Sequence, residues 1–184
     1  MIVMVNGAFG AGKTTVAEEL VQRIEGSMLF DPEVVGYMLR HIVPTEAKYE
    51  EERTGDFQDL RPWKTLVVKV AEELKNTYGR DLIVPMTIRN KEYFKIIRDG
   101  FRSIDPNTFH FCLMATKETI HDRLRKRGEE EGNWCFHQTD RCLAAFEDPI
   151  FEQKIWTEDR AVEEIVEEIM GSVENAVGEW GVIR

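Results

Sequence analysis

One string constrains this chain more than any other feature: Gly7-Ala8-Phe9-Gly10-Ala11-Gly12-Lys13-Thr14, directly after the apolar run Ile2-Val3-Met4-Val5 and Asn6. Its spacing, G-x-x-x-x-G-K-[ST], is that of a P-loop, and each fixed position has a physical reason. The glycines let backbone N–H groups turn inward onto phosphate oxygens, where side chains would collide. A helix opening at the loop aims its unpaired N–H groups and positive dipole end at the same anion. At ordinary residue frequencies the string arises by chance in under about 1% of chains this long. Here it also follows a predicted strand and opens a predicted helix, which separates it from a glycine-rich turn. It predicts a nucleoside triphosphate held by Gly7, Ala8, Phe9, Gly10, Ala11, Gly12, Lys13, Thr14 and Thr15. Lys13 is expected at the β and γ phosphates, and the Thr14 hydroxyl as the Mg²⁺ ligand. No N-K-x-D string for guanine occurs in the sequence, which favours ATP over GTP.

The rest of the chain alternates short apolar runs with longer helical patterns, the mark of an α/β fold with a parallel sheet and helices on both faces. Strands are predicted at Ile2–Val5, Met28–Phe30, Leu82–Met86, Thr108–Met114 and Lys154–Thr157. Helices are predicted at Thr14–Ile24, Glu33–His41, Trp63–Tyr78, Glu92–Arg102, Lys117–Arg127, Gln138–Phe146 and Asp159–Val177. The polar stretch Thr45–Arg61 reads as a loop or short helix over the sheet edge. Gly128–Asn133 reads as the mobile piece of a lid at about 117–146. With 184 residues, the expectation is one domain over 1–184. The net charge of −10 argues against nucleic acid and anionic membranes as partners. Three cysteines and the lack of a roughly 20-residue apolar stretch fit a cytoplasmic location. Cys135, His137 and Cys142, even with His121, lack the paired spacing of a zinc site.

Beyond the loop, Asp31 ends the second predicted strand, at the edge where ligands bind in open α/β sheets. It suits a base for an acceptor hydroxyl, a holder of Mg²⁺-bound water, or the N-cap of a helix starting at Pro32; the cap is compatible with either. Arg123 and Arg127 share a helix face and are candidates to close over the phosphates, against the plainer reading of a solvated basic stripe. Arg40, Arg53, Arg61 and Arg89 are candidate contacts to a polar or anionic acceptor, with Met86 and Thr87 beside them at the end of the third strand. Trp63 and Trp134 read as packing residues before ring-stacking ones. That strand ends without an acid, so the usual Walker B aspartate is missing, which favours a kinase-like site over a hydrolase.

Taken together, these residues resemble the tunicamycin-resistance ATP-binding proteins of bacteria. The likeness is carried by Asn6-Gly7-Ala8-Phe9-Gly10-Ala11-Gly12-Lys13-Thr14, Asp31-Pro32-Glu33 with Gly36 and Leu39-Arg40, Asp56-Phe57-Gln58, and Pro62-Trp63. It continues through Leu82-Ile83-Val84-Pro85-Met86-Thr87-Ile88, Leu113-Met114-Ala115, Lys117-Glu118-Thr119, Arg123-Leu124, Asp140-Arg141-Cys142 and Pro149-Ile150-Phe151-Glu152. The resemblance implies a three-layer P-loop NTPase fold with sheet order 2-3-1-4-5, related to nucleoside and nucleotide kinases, and ATP-dependent resistance to a uridine-based antibiotic. It supports Arg123 and Arg127 as lid residues and Arg40 on the acceptor side. One property of such proteins, membrane association through a C-terminal amphipathic helix, transfers poorly. The polar face here carries Glu163, Glu164, Glu167, Glu168 and Glu174, where interfacial helices carry Lys and Arg.

Three functions follow as expectations. The first is a kinase moving the ATP γ-phosphoryl to a hydroxyl of a nucleoside-like small molecule, with Lys13, Asp31, Arg123 and Arg127 catalytic. On that reading Asp31, Arg40, Arg61, Met86, Thr87 and Arg89 face the acceptor. The second is an ATP-dependent protein that sequesters the drug without phosphotransfer. The third is a kinase of an ordinary metabolite. Oligomeric state is not legible.

Overall fold

The computed structural model describes residues 1–181. Five strands, β1 (Ile2–Gly7), β2 (Ser27–Leu29), β3 (Asp81–Met86), β4 (Thr108–Met114) and β5 (Lys154–Trp156), form one sheet in the order β2-β3-β1-β4-β5. Every pairing is parallel. Seven helices connect and cover them: α1 (Lys13–Arg23), α2 (Pro32–Ile42), α3 (Arg61–Tyr78), α4 (Lys91–Ile104), α5 (Lys117–Lys126), α6 (Trp134–Phe146) and α7 (Val162–Gly181). The expected P-loop NTPase architecture and its sheet order are therefore the observed ones.

The near-continuous apolar runs of the central strands follow from burial on both faces. Side chains alternate along a strand, so β1 sends Ile2 and Met4 to one face with Leu82, Val84, Cys112 and Met114. Val3 and Val5 go to the other, with Ile83, Phe111 and Leu113. The first face is covered by α2 to α6 through Val35, Leu39, Trp63, Val67, Phe94, Ile97, Ile120, Leu124 and Phe146. The second is covered by Val16, Ala17 and Leu20 of α1 and by Ile165, Val166, Ile169 and Val173 of α7. Each such large apolar side chain contributes about 1.5–3 kcal/mol on burial. Trp63 belongs to this core, its indole N–H donating to the Pro32 carbonyl at 3.2 Å.

One expected segment takes a definite form, and two helices have shifted bounds, the last being Val162–Gly181 where Asp159–Val177 is expected. The stretch expected as loop or short helix is a series of 3-10 turns, Thr45–Ala47, Glu50–Glu52 and Phe57–Asp59. The last is capped by Asp56, whose carboxylate accepts from Gln58 N at 2.9 Å. Helix α6 starts four residues earlier than its apolar spacing suggests. Asn133 caps it, accepting from the amides of Cys135 and Phe136, so Trp134 to His137 join the helix.

Candidate active site

At the carboxyl edge of the sheet, the end of β1 turns into the loop and α1 begins. Gly12 makes that turn in the left-handed region (φ 97°), which a side chain disfavours. Among the described residues no backbone or side-chain acceptor is bonded to the amides of Gly10, Gly12, Lys13 or Thr14, while Ala11 and Val16 bond within the loop and helix. These unmet donors at a helix N-terminus are an anion site. The Lys13 ammonium folds back to the Ala8 carbonyl at 2.9 Å and lies 5.5 Å from the Phe9 ring centre. Burial pushes its pKa down from 10.5 to about 8, against the opposing field of Glu33.

Two cavities meet at Gly10, Lys13, Thr14 and Arg127. The smaller, about 300 Å³, runs along the α1 N-terminus past Gly12 and Thr15 to Arg123, Thr157, Arg160, Val162 and Ile165. The larger, about 580 Å³, is lined by the packed pair Phe9 and Trp134 and by the cluster of Tyr37, Arg40 and Phe57. Asp31, Glu33, Asp56, Gln58, Pro85 and Met86 complete it.

Asn6 ties the two halves together. It is fully buried; its side chain donates to the Ile88 carbonyl at 3.0 Å and accepts from Gly7 N at 2.9 Å and Ile88 N at 3.0 Å. The P-loop and the turn after β3 are thereby one hydrogen-bonded unit. Pro85 explains why the larger cavity opens where it does. Leu82 N–H bonds toward β1, to Met1, and Ile83 accepts from Phe30 on the β2 side. The two-residue alternation turns Pro85 to the β2 side as well, past the last residue of β2. A missing N–H costs nothing there, and β2 has already left the sheet toward Asp31.

Asp31 is a helix cap and a cleft residue together. One of its carboxylate oxygens accepts from Glu33 N at 2.8 Å, and the side chain lines the larger cavity. Glu33, in the first turn of α2, is not among the residues the sequence points to, although Asp31-Pro32-Glu33 places two carboxylates two residues apart at a helix start. Burial, then the charge of Asp31, raise the Glu33 pKa above the usual carboxylate value, while Lys13 opposes the rise. The Tyr37 hydroxyl donates to it at 3.4 Å.

The arginines separate. Arg40 lines the larger cavity, donates to the Gly55 carbonyl, and stacks over Phe57 at 5.1 Å and Tyr37 at 6.0 Å. Phe57 sits on Gly36, where an added Cβ would fall 2.2 Å from the ring; Gln58 bonds the Thr87 carbonyl at 2.8 Å. The 55–59 segment is thus strapped across the far wall. Arg127 stands at the junction of the cavities and pairs with Glu129 at 2.9 Å. Arg123 lies in the smaller one, bonded to the Thr157 hydroxyl and carbonyl, both at 2.8 Å, and reaching Ala11 O at 3.5 Å. Both members of the expected pair border the smaller cavity: Arg123 joins the P-loop to the chain after β5, and Arg127 faces the junction.

Four acceptor candidates, Arg53, Arg61, Thr87 and Arg89, lie outside the larger cavity. Arg61 faces outward, paired with Glu51 and stacked 3.5 Å over Tyr49, because these neighbours in the 3-10 turns capture it first. Arg89 lies in a separate groove with Lys91, Ala144 and Asp148. Thr87 is buried, and its hydroxyl has no partner among the described residues. Arg53 pairs loosely with Glu50 at 3.7 Å. Met86 does line the cavity. Cys142 is buried, Cys135 borders the larger cavity, and His121 packs against Phe136. Among the described residues no cluster of three metal-ligating side chains forms, and no helix is long and apolar enough to cross a membrane.

Among solved structures, the tunicamycin resistance protein of Deinococcus radiodurans is similar along nearly its whole length. The TM-score is 0.75 at 26% identity, covering 96% of this chain and 95% of that one. A gluconokinase from Sinorhizobium meliloti 1021 follows with a TM-score of 0.64, 16% identity and 98% and 95% coverage. Shikimate kinase from Acinetobacter baumannii, solved with shikimate, gives 0.60, 14% identity and 95% and 93% coverage. At those identities the two kinases share the fold. No curated protein matches the sequence significantly. Residues 2–149 match the AAA domain family, a span that holds the P-loop, Asp31, Glu33 and the strapped wall. The chain belongs to that family, and its P-loop domain is a nucleotide-binding one.

Proposed function

We propose that this chain is a phosphotransferase that moves the γ-phosphoryl group of ATP to a hydroxyl of a nucleoside-like small molecule. One observation carries the reading: Asp31 and Glu33 line the same cavity as Lys13 and Thr14, and that cavity joins the groove along the α1 N-terminus. A carboxylate pair facing the γ-phosphate position is what transfer to an alcohol needs. An NTP-driven switch or motor has no use for a second cavity of about 580 Å³ there.

In this mechanism the free amides of the loop and the Lys13 ammonium hold the phosphate chain of ATP, and Arg127 lies beside the transferred group. Thr14, exposed at the junction, and Asp31, through water, are the residues that would hold Mg²⁺. The ion supplies neutralisation of phosphate charge when bound. Glu33 accepts the acceptor's hydroxyl proton; its raised pKa makes it a better base than an ordinary carboxylate. A bond forms from the acceptor oxygen to Pγ as the bond from Pγ to the β–γ bridging oxygen breaks, and ADP leaves with that electron pair. The likeness to the Deinococcus radiodurans tunicamycin resistance protein supports a nucleoside antibiotic as one acceptor.

The test is mass spectrometry of tunicamycin after incubation with ATP, Mg²⁺ and the protein, with an ADP-release assay across nucleosides and polyols. A drug that gains one phosphoryl group supports the reading. An unmodified drug with cellular protection intact replaces it with sequestration, and turnover of a polyol alone points to an ordinary metabolite.

A further inference from the structure

Charge in the larger cavity is divided unevenly. Lys13 and Arg127 also border the nucleotide groove, so their charge faces phosphate. What remains around the acceptor is Asp31, Glu33 and Asp56 against one cation, Arg40. Arg40 is already engaged: its guanidinium donates to the Gly55 carbonyl and lies against the faces of Phe57 and Tyr37. Arg61 and Arg89, which would read an anion, are outside, the first held by Glu51 and the second in another groove. The carboxylates also feel one another, since Asp31 and Asp56 both raise the Glu33 pKa, after burial.

The uncharged surface points the same way. Trp134 and Tyr37 are about half exposed and line the same cavity, backed edge-on by Phe9 at 5.0 Å and Phe57 at 5.6 Å. Exposed aromatic faces in one cavity suit a ring, and the carboxylates that line it suit the ring's hydroxyl or amino hydrogens.

Resting on the phosphotransfer reading, we infer that the acceptor site selects a hydroxyl-bearing ring compound that is neutral or cationic, and rejects acids and phosphorylated compounds. An anionic acceptor brings its charge against Glu33 and Asp56, with Asp31 turned to the Mg²⁺ water and Arg40 held in place by Gly55, Phe57 and Tyr37, and like-charge juxtaposition is a strong means of exclusion. This separates the chain from kinases of sugar acids and of nucleoside monophosphates, although the fold is shared.

The experiment is calorimetric titration of the protein, loaded with a non-hydrolysable ATP analogue and Mg²⁺, using matched probes. The pairs are uridine with uridine 5′-monophosphate and glucose with glucuronate; glucosamine is the cationic probe. A neutral or cationic member is expected to bind about tenfold or more tightly than its anionic counterpart. Asp56→Asn keeps a capping side chain for the Phe57–Asp59 turn while removing one charge, and narrows that gap about threefold or more. Equal or tighter binding of an anionic member overturns the inference, as does a panel in which no neutral or cationic probe binds. Selective binding without ADP release on exchanging the analogue for ATP leaves the inference standing and removes the phosphotransfer reading.

Discussion

The two sides of Lys13 are built in opposite ways. The nucleotide side is made of backbone: between Gly7 and Thr15 the unmet amides of Gly10, Gly12, Lys13 and Thr14 face outward, their direction set by loop and helix geometry. The acceptor side is made of side chains gathered from α2, the Phe57–Asp59 turn, the end of β3 and the start of α6. A backbone site is local, so it tolerates little change in sequence and recognises a group common to many substrates. A gathered site can change one wall at a time. Gluconokinase and shikimate kinase share the fold.

The largest expected effect separates chemistry from donor binding. Glu33→Gln should lower kcat by about 10²–10⁴-fold, the usual contribution of a general base, while ATP affinity in a titration stays within about threefold. A parallel loss of ATP affinity would place Glu33 on the nucleotide side and dissolve the division. Next, Gly36→Ala drives a Cβ into the Phe57 ring and should cost about 1–3 kcal/mol of stability by overpacking. Its KM for the acceptor should rise, with ATP affinity unchanged. Equal losses on both sides would show that the strap supports the whole cleft.

The pH dependence is a smaller effect. Lys13 titrates near 8 in the free chain, and phosphate holds its charged form. ATP affinity should therefore fall by up to about tenfold per unit as pH rises above 8. Stability of the free chain moves oppositely. The folded pKa is below the ordinary 10.5, so the unfolded chain binds more protons between those values. Stability rises through that window as the buried ammonium is discharged. On the acid side, kcat should fall as Glu33 is protonated, at a pH above the usual carboxylate range. Least of all, Arg61→Ala removes an exposed ion pair worth under about 1 kcal/mol, and the acceptor KM should not move. A clear rise in KM would bring Arg61 back into the acceptor wall.

This contrast also explains what could be read in advance. The parallel sheet, the α/β order and the P-loop depend on local patterns, so Ile2–Val5, Leu82–Met86 and the glycine spacing were sufficient for them. Asn133 escaped notice as a cap because no apolar spacing marks the first turn of α6. Asp31 was legible from its place at a strand end. Glu33 was hidden by its resemblance to an ordinary first-turn acid, since only burial and the field of Asp31 distinguish it. Arg61 and Arg89 looked equivalent to Arg40 in sequence. Their different fates depend on partners 10 residues away for Arg61 and on the α4–α6 groove for Arg89, distances over which charge patterns carry no direction.

Pro85 has a consequence of a different kind. A parallel sheet grows like a zipper, each amide hydrogen inviting the neighbouring strand to continue for another pair. At Pro85 that tooth is absent, so lengthening β2 by mutation gains no bond at the position where it would begin to seal the crevice. On the phosphotransfer reading, the freedom to vary the acceptor is thus protected by an atom the chain lacks: walls can be rebuilt around the opening, but the sheet cannot easily close it.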